Sequence, residues 1–256
     1  MNRLVIVVVA LALIAVALVL GAPATGNAVK NFSPQTTGTF GLSYSAPSDK
    51  SLDSIYGALT SNGVFGGLVK DLNTQFKIPV DVVIKFSQCG SATAFYDPQQ
   101  KTVDICYEFI KNMESLYATS GQNSSDAAIS NAEFVFYHEI GHALIDTLNI
   151  PFTGREEDAA DQLALLMVLS GGDAPAVVTA YALGVQSQNQ QSQLWDEHSL
   201  DGQRFYNIIC WLYGQNPDKY QAAVSQLLPE ERSKNCVSEY NKMVSSWTRL
   251  LQPHTR

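Results

Sequence analysis

The sequence predicts an α+β fold, a small antiparallel sheet or hairpin followed by a mostly helical region. Three observations predict it. β-Branched and alternating apolar residues are concentrated between residues 80 and 109, helical apolar spacing dominates the chain beyond them, and no convincing strand comes after Tyr107.

The first thirty residues stand apart. Arg3 precedes an uninterrupted apolar run from Leu4 to Leu20, then small and polar residues through Ala28. The run is long for a signal-peptide core and short for a membrane span, so residues 1–28 read as a cleaved signal or a retained anchor. With Arg3 the sole charge before the run, the folded part is expected outside, secreted or tethered to the outer face of the cytoplasmic membrane. Residues from Val29 to about Lys50 are rich in Ser, Thr, Gly and Pro without periodicity, and residues 29–46 read as a flexible linker. The remainder, 47–256, is expected to be one domain, since no repeat or second composition shift divides it.

Leu52 to Phe76 carries helical apolar spacing broken at Gly63, Gly66 and Gly67, which predicts two helices or one interrupted helix. Val80–Phe86 and Thr102–Phe109 are expected strands, with a short strand at Ala94–Tyr96 and a turn at 97–101. Helices are expected at about 109–118, 126–148, 154–170 and several times between 174 and 253. His254, beside Pro253 at the terminus, reads as tail.

Four cysteines with no Cys-x-x-Cys spacing fit an exported chain with disulfides. Cys89–Cys106 and Cys210–Cys236 is the favoured pairing among three possible connectivities. The formal charge of −8 excludes a basic field for nucleic acid, and membrane attachment is confined to residues 4–20.

The chemistry concentrates on the helix expected at 126–148. His138 and His142 lie four residues apart and project from one face, so two imidazoles can meet one metal ion. Fourteen residues separate His142 from Glu157, room for a turn through Pro151 and Gly154 and a returning helix. Thr153-Gly154-Arg155-Glu156 has the capping-box pattern, which assigns Glu156 to the Thr153 backbone. Glu157 and Asp161 remain as an i, i+4 acidic pair, one to ligate and one to orient a ligand. Ala159 and Ala160 beside them permit a close helix approach.

His138-Glu139-Ile140-Gly141-His142 followed by Glu157-Asp158-Ala159-Ala160-Asp161 resembles the gluzincins, whose signature is His-Glu-x-x-His with a later Glu-x-x-x-Asp. The resemblance implies a zincin-like domain with one Zn2+ held by His138, His142 and Glu157, Glu139 as general base and Asp161 hydrogen-bonded to a ligand histidine. More narrowly, Cys89 to about Gly214 resembles a group of exported metallopeptidases. The matching segments are Ala94-Phe95-Tyr96-Asp97-Pro98, Ile105-Cys106-Tyr107-Glu108, the two zinc motifs, and His198 to Cys210. A peptide or protein substrate is implied. The strand at 102–109 is a candidate for receiving the substrate backbone, with simple packing of the active-site helix as the alternative.

Hydrolysis also needs a donor for the oxyanion. His198 is the first candidate, followed by Arg204 and Tyr206; the competing reading makes Asp201 and Arg204 a surface ion pair and His198 a cap or loop residue. Two other functions are open: a catalytically silent, zinc-stabilised extracellular binding or regulatory module, and a disulfide-bonded structural protein whose motif is coincidental.

Overall fold

The computed structural model describes residues 38–118, 123–188 and 197–256. The apolar run at 4–20, the segment after it and most of the expected linker lie outside the described residues. Among those described, no helix is long and apolar enough to cross a membrane.

A four-stranded sheet contains β1 (Phe40–Tyr44), β2 (Val82–Ser87), β3 (Ala94–Asp97) and β4 (Thr102–Cys106), in the order β1-β2-β4-β3. The fold is α+β as expected, but the sheet is mixed. β1 pairs parallel with β2, β2 pairs parallel with β4, and only the β3–β4 hairpin is antiparallel. β1 falls inside the segment read as a linker. Phe40, Leu42 and Tyr44 do alternate, but what holds the strand is pairing with β2 some forty residues away, with Phe40 opposite Val82 and Tyr44 opposite Phe86. The Asn73 side chain ties it further, accepting from Phe40 N and donating to Phe40 O.

Between β1 and β2 run α1 (Asp53–Asn62) and α2 (Val64–Gln75), separated at Gly63, whose φ of 68° is the left-handed turn that glycine adopts without penalty. Gly66 and Gly67 sit inside α2 and interrupt nothing. β4 ends earlier than its alternation suggests, because Tyr107 opens α3 (Tyr107–Tyr117). Tyr107, Ile110, Met113 and Tyr117 are buried at helical spacing, and the Tyr107 hydroxyl donates to the carbonyls of Ser45 and Phe86. The Glu108 carboxylate accepts from the N–H groups of Cys89 and Gly90. The Cys89–Cys106 disulfide closes the same corner, with its Cα atoms 5.5 Å apart.

The central element is α4 (Ser124–Thr147), started by the Asn123 side chain, which accepts from Ser125 N and Asp126 N. Its middle is buried nearly all round, as the core helix of a larger assembly must be. Phe136 of α4 and Phe86 of β2 both meet Phe65 of α2, so α2 and α4 cover the same face of the sheet. After α4 come α5 (Glu156–Val168), α6 (Ala174–Gln186), α7 (Asp201–Gln215), α8 (Pro217–Leu227) and α9 (Glu230–Leu251). A second disulfide, Cys210–Cys236, joins α7 to α9. The helices approach closely there: a Cβ on Gly214 would lie 2.4 Å from the Cys236 carbonyl oxygen.

The C-terminus is anchored, contrary to the reading of His254 as tail. Lys77 N donates to the His254 carbonyl, and Arg256 bonds the carbonyls of Gln75 and Phe76. A terminal segment of polar residues shows no periodicity, so this main-chain docking left no trace in the sequence.

Candidate metal centre

Helix α4 places His138 and His142 on one face, and α5 crosses that face at Gly141. A Cβ built on Gly141 would sit 3.1 Å from Ala160 Cα and 3.3 Å from its Cβ, so a small residue on each helix sets the separation. The expected close approach at Ala160 is what the structure has. Gly141→Leu should therefore push α5 outward, lowering the melting temperature and weakening metal retention together. Calorimetry with and without chelator checks it, and an unchanged metal affinity would dissociate the two effects.

The approach brings Glu157 to the histidines. His138 Nε2 lies 3.0 Å from Glu157 Oε2, His142 Nε2 lies 3.4 Å from Glu157 Oε1, and the two Nε2 atoms are 3.2 Å apart. Around a tetrahedral ion with bonds of roughly 2.0–2.1 Å, donor atoms are separated by about 3.3–3.4 Å. The two rings, each meeting a different oxygen of Glu157, come near the spacing that such an ion requires.

The far side of each ring is held by a carboxylate. Asp161 Oδ1 is 2.8 Å from His138 Nδ1, and Glu156 Oε1 is 2.9 Å from His142 Nδ1. A carboxylate only accepts, so each Nδ1 donates and each neutral ring turns its Nε2 lone pair inward. Neutral rings so held set two lone pairs and a carboxylate face to face at 3.0–3.4 Å, an arrangement that a shared proton or a bound cation relieves. Burial alone would lower the His138 pKa, yet hydrogen bonds to Asp161 and Glu157 outweigh it and hold the ring up at about 9. Burial likewise pushes the Glu157 carboxyl up, but bonds from His138, His142 and His198 keep it well below the usual carboxylate range. Both shifts show a site that attracts positive charge.

Glu156 is not a capping residue. α5 begins at Glu156 with Arg155 as its N-cap and no side-chain capping bond. Three acidic residues in the first turn already suit the positive end of the helix dipole, which leaves Glu156 available to His142. Asp161 takes the place expected of it, with an unexpected partner. Arg204 Nε and Nη2 donate to Asp161 Oδ2 and Oδ1 at 2.7 and 2.8 Å, extending the chain His138–Asp161–Arg204. Arg204 is therefore bound to the buried Asp161, with Asp201 adding to its charge environment, and is not in the cavity wall. Tyr206 is exposed and packs edge-on against Phe205, also away from the cavity.

His198 does reach the site. Its Nε2 is 2.9 Å from Glu157 Oε2, and its ring lies nearly parallel to His138 with centroids 6.2 Å apart. The bond to Glu157 raises its pKa against the opposing effect of burial. His138, Glu157 and His198 offer ligand atoms within 4.8 Å of one another. His142 is nonetheless the better third donor, because its Nε2 is within 3.4 Å of both His138 and Glu157. The His198 carbonyl accepts from Arg155, and Ser199 donates to Asp158, so the start of α5 fixes this segment over the site.

The donors open into a cavity of about 700 Å³, with Glu139 in its wall. Ala94, Phe95 and Tyr96 of β3 also line it. Among the described residues β3 is an edge of the sheet, as β1 is, and β4 is internal, which corrects the strand proposed to receive a backbone. Cys106 N donates to Thr93 O, so by antiparallel alternation Thr93, Phe95 and Asp97 face β4 while the main-chain groups of Ala94 and Tyr96 point outward. A cluster that sequence reasoning missed fixes this edge to α4: Tyr96 Oη and Lys101 Nζ each donate to Asp146 Oδ2 at 2.6 Å. Asp146 stands one turn beyond His142, a spacing that could have drawn attention to it.

A family model described as "Putative metallopeptidase" matches residues 44–251. The chain belongs to that family. Membership brings with it a metal cofactor and peptide or protein substrates, and the match takes in β2 to β4, both motif helices and the C-terminal helices. No curated protein and no solved structure matches the chain.

Proposed function

We propose that the chain is an exported zinc peptidase of the gluzincin type, with His138, His142 and Glu157 as ligands and Glu139 as general base. The observation that carries this reading is the convergence of two Nε2 atoms and the Glu157 carboxylate at 3.0–3.4 Å. Imidazole and carboxylate donors in a three-ligand set suit zinc with an open position. Bound there, zinc would polarise the scissile carbonyl and make a water acidic enough to attack at neutral pH.

The chain's own residues supply the rest. Asp161 and Glu156 fix the ring orientation of His138 and His142. Glu139, buried but open to the cavity, takes a proton from the attacking water and delivers it to the leaving amine. His198 reaches into the cavity as the donor to the oxyanion. The outward groups of Ala94 and Tyr96 receive the substrate main chain as an added strand. Export is supported by the apolar run at 4–20 and by two disulfides.

The test is metal content together with cleavage. Purified protein should carry one equivalent of zinc by elemental mass spectrometry and cleave a peptide pool, with chelation abolishing cleavage and zinc restoring it. Absence of stoichiometric zinc overturns the reading. One observation favours a second reading, a zinc-stabilised binding module: His198 stands close enough to Glu157 to act as a fourth ligand and close the site. His198→Ala separates the two, since a donor's loss lowers kcat and a closing ligand's loss raises it.

A further inference from the structure

A cavity of about 700 Å³ has the size of a ligand site, and its walls suggest what it holds. Phe95, on the edge strand, and Phe152, in the connection between α4 and α5, are 45% and 44% exposed, among the most exposed large apolar side chains described. Both line this cavity, although they come from separate elements. Ile145 and Ile150, each buried, add apolar side chains to the same lining.

Exposed aromatic surface gathered on the wall of a site, with carboxylates at its rim, marks where an apolar group is desolvated. Phe95 lies between Ala94 and Tyr96, whose outward main-chain groups would align a substrate strand, so one side chain of that strand comes alongside it. The charge around this surface is mostly negative. Glu156 and Glu197 line the cavity beside one cation, Arg155, which donates to the His198 carbonyl, and Asp146, also in the lining, is paired with Lys101.

We propose that this cavity is a specificity subsite for a large apolar side chain of a peptide, aromatic or long aliphatic, seated against Phe95 and Phe152, and that it rejects acidic side chains. The proposal rests on the peptidase reading, and its test keeps the two apart. Zinc-loaded wild-type protein is given a proteome-derived peptide library, and the residues flanking each cut are counted. One position relative to the cut bond should favour Phe, Tyr, Trp, Leu or Met over Asp and Glu by about tenfold or more, the scale on which apolar pockets discriminate. Phe152→Ala and Phe95→Ala should flatten that preference, while Phe152→Trp keeps it. Cleavage without apolar enrichment, or enrichment untouched by both alanine variants, overturns the subsite. Should the wild type cleave nothing, the peptidase reading falls and a binding measurement still decides. Zinc-loaded Glu139→Gln is titrated with fluorescein-labelled hexapeptide pools fixed at one position as Phe or as Glu. The Phe pool should bind about tenfold more tightly, with Phe152→Ala erasing the difference. Equal binding of the two pools overturns the proposal.

Discussion

On the function proposed above, Glu139→Gln should bind zinc as the wild type does and lose about two to four orders of magnitude in kcat/KM, the range that a positioned general base contributes. The substitution preserves shape and removes only the capacity to take a proton. Glu139 makes no contribution to the three converging donors, whose mutual distances of 3.0–3.4 Å are set by α4 and α5. Metal content should therefore equal that of the wild type. The buried position matters to the role. Burial raises the Glu139 carboxyl while the neighbouring His138 and His142 draw it down, an environment in which a carboxylate can both accept and release a proton. Peptide hydrolysis and zinc content measured on the same preparation check the prediction. Retained hydrolysis would remove Glu139 from the role of base, and lost zinc would mean that it shapes the site instead.

The residues legible in the sequence were those whose meaning depends on local periodicity. His138 with His142, and Glu157 with Asp161, are each four apart on a helix, and helical geometry alone puts each pair on one face. Glu156 illustrates the limit. Its neighbours Thr153 to Arg155 matched a capping pattern, a local rule, whereas its bond to His142 depends on where α5 crosses α4, and Gly141 and Ala160 decide that. The same limit hid β1, whose hydrogen bonds come from a parallel partner some forty residues later. It also hid the edge position of β3, since sheet order is a property of tertiary pairing. Tyr96, Lys101 and Asp146 come together from β3, the hairpin turn and α4, and no spacing along the chain links them.

Arg204→Met should destabilise the protein by about 3–5 kcal/mol, because it removes the cation paired with a buried carboxylate and leaves His138 as its remaining charged partner. Asp161 and Arg204 side chains are 4% and 18% exposed, so solvent does little to replace the lost partner. At this chain length each kcal/mol moves the melting temperature by roughly 2–4 °C, which places the expected fall on the order of 10 °C. The pH dependence gives the prediction a sign. Burial pushes the Asp161 carboxyl up, but Arg204 and His138 hold it below the ordinary carboxylate value in the folded protein. A depressed folded pKa contributes stability above the unfolded pKa of about 3.9 and loses it as pH falls through the folded value. Without Arg204 the Asp161 pKa rises, and protonation then relieves the unpaired charge. The melting-temperature gap between wild type and variant, measured on chelator-treated protein, should be widest near pH 7 and narrow as pH falls toward the carboxylate range. Adding Asp161→Asn to Arg204→Met should recover part of the stability, since a neutral amide leaves no buried charge to compensate. Zinc affinity should not recover with it, because the amide no longer anchors His138 Nδ1 as a carboxylate does. A double variant that regained both would place Arg204 and Asp161 in the packing of α5 against α7 alone, with no part in holding the metal ligand.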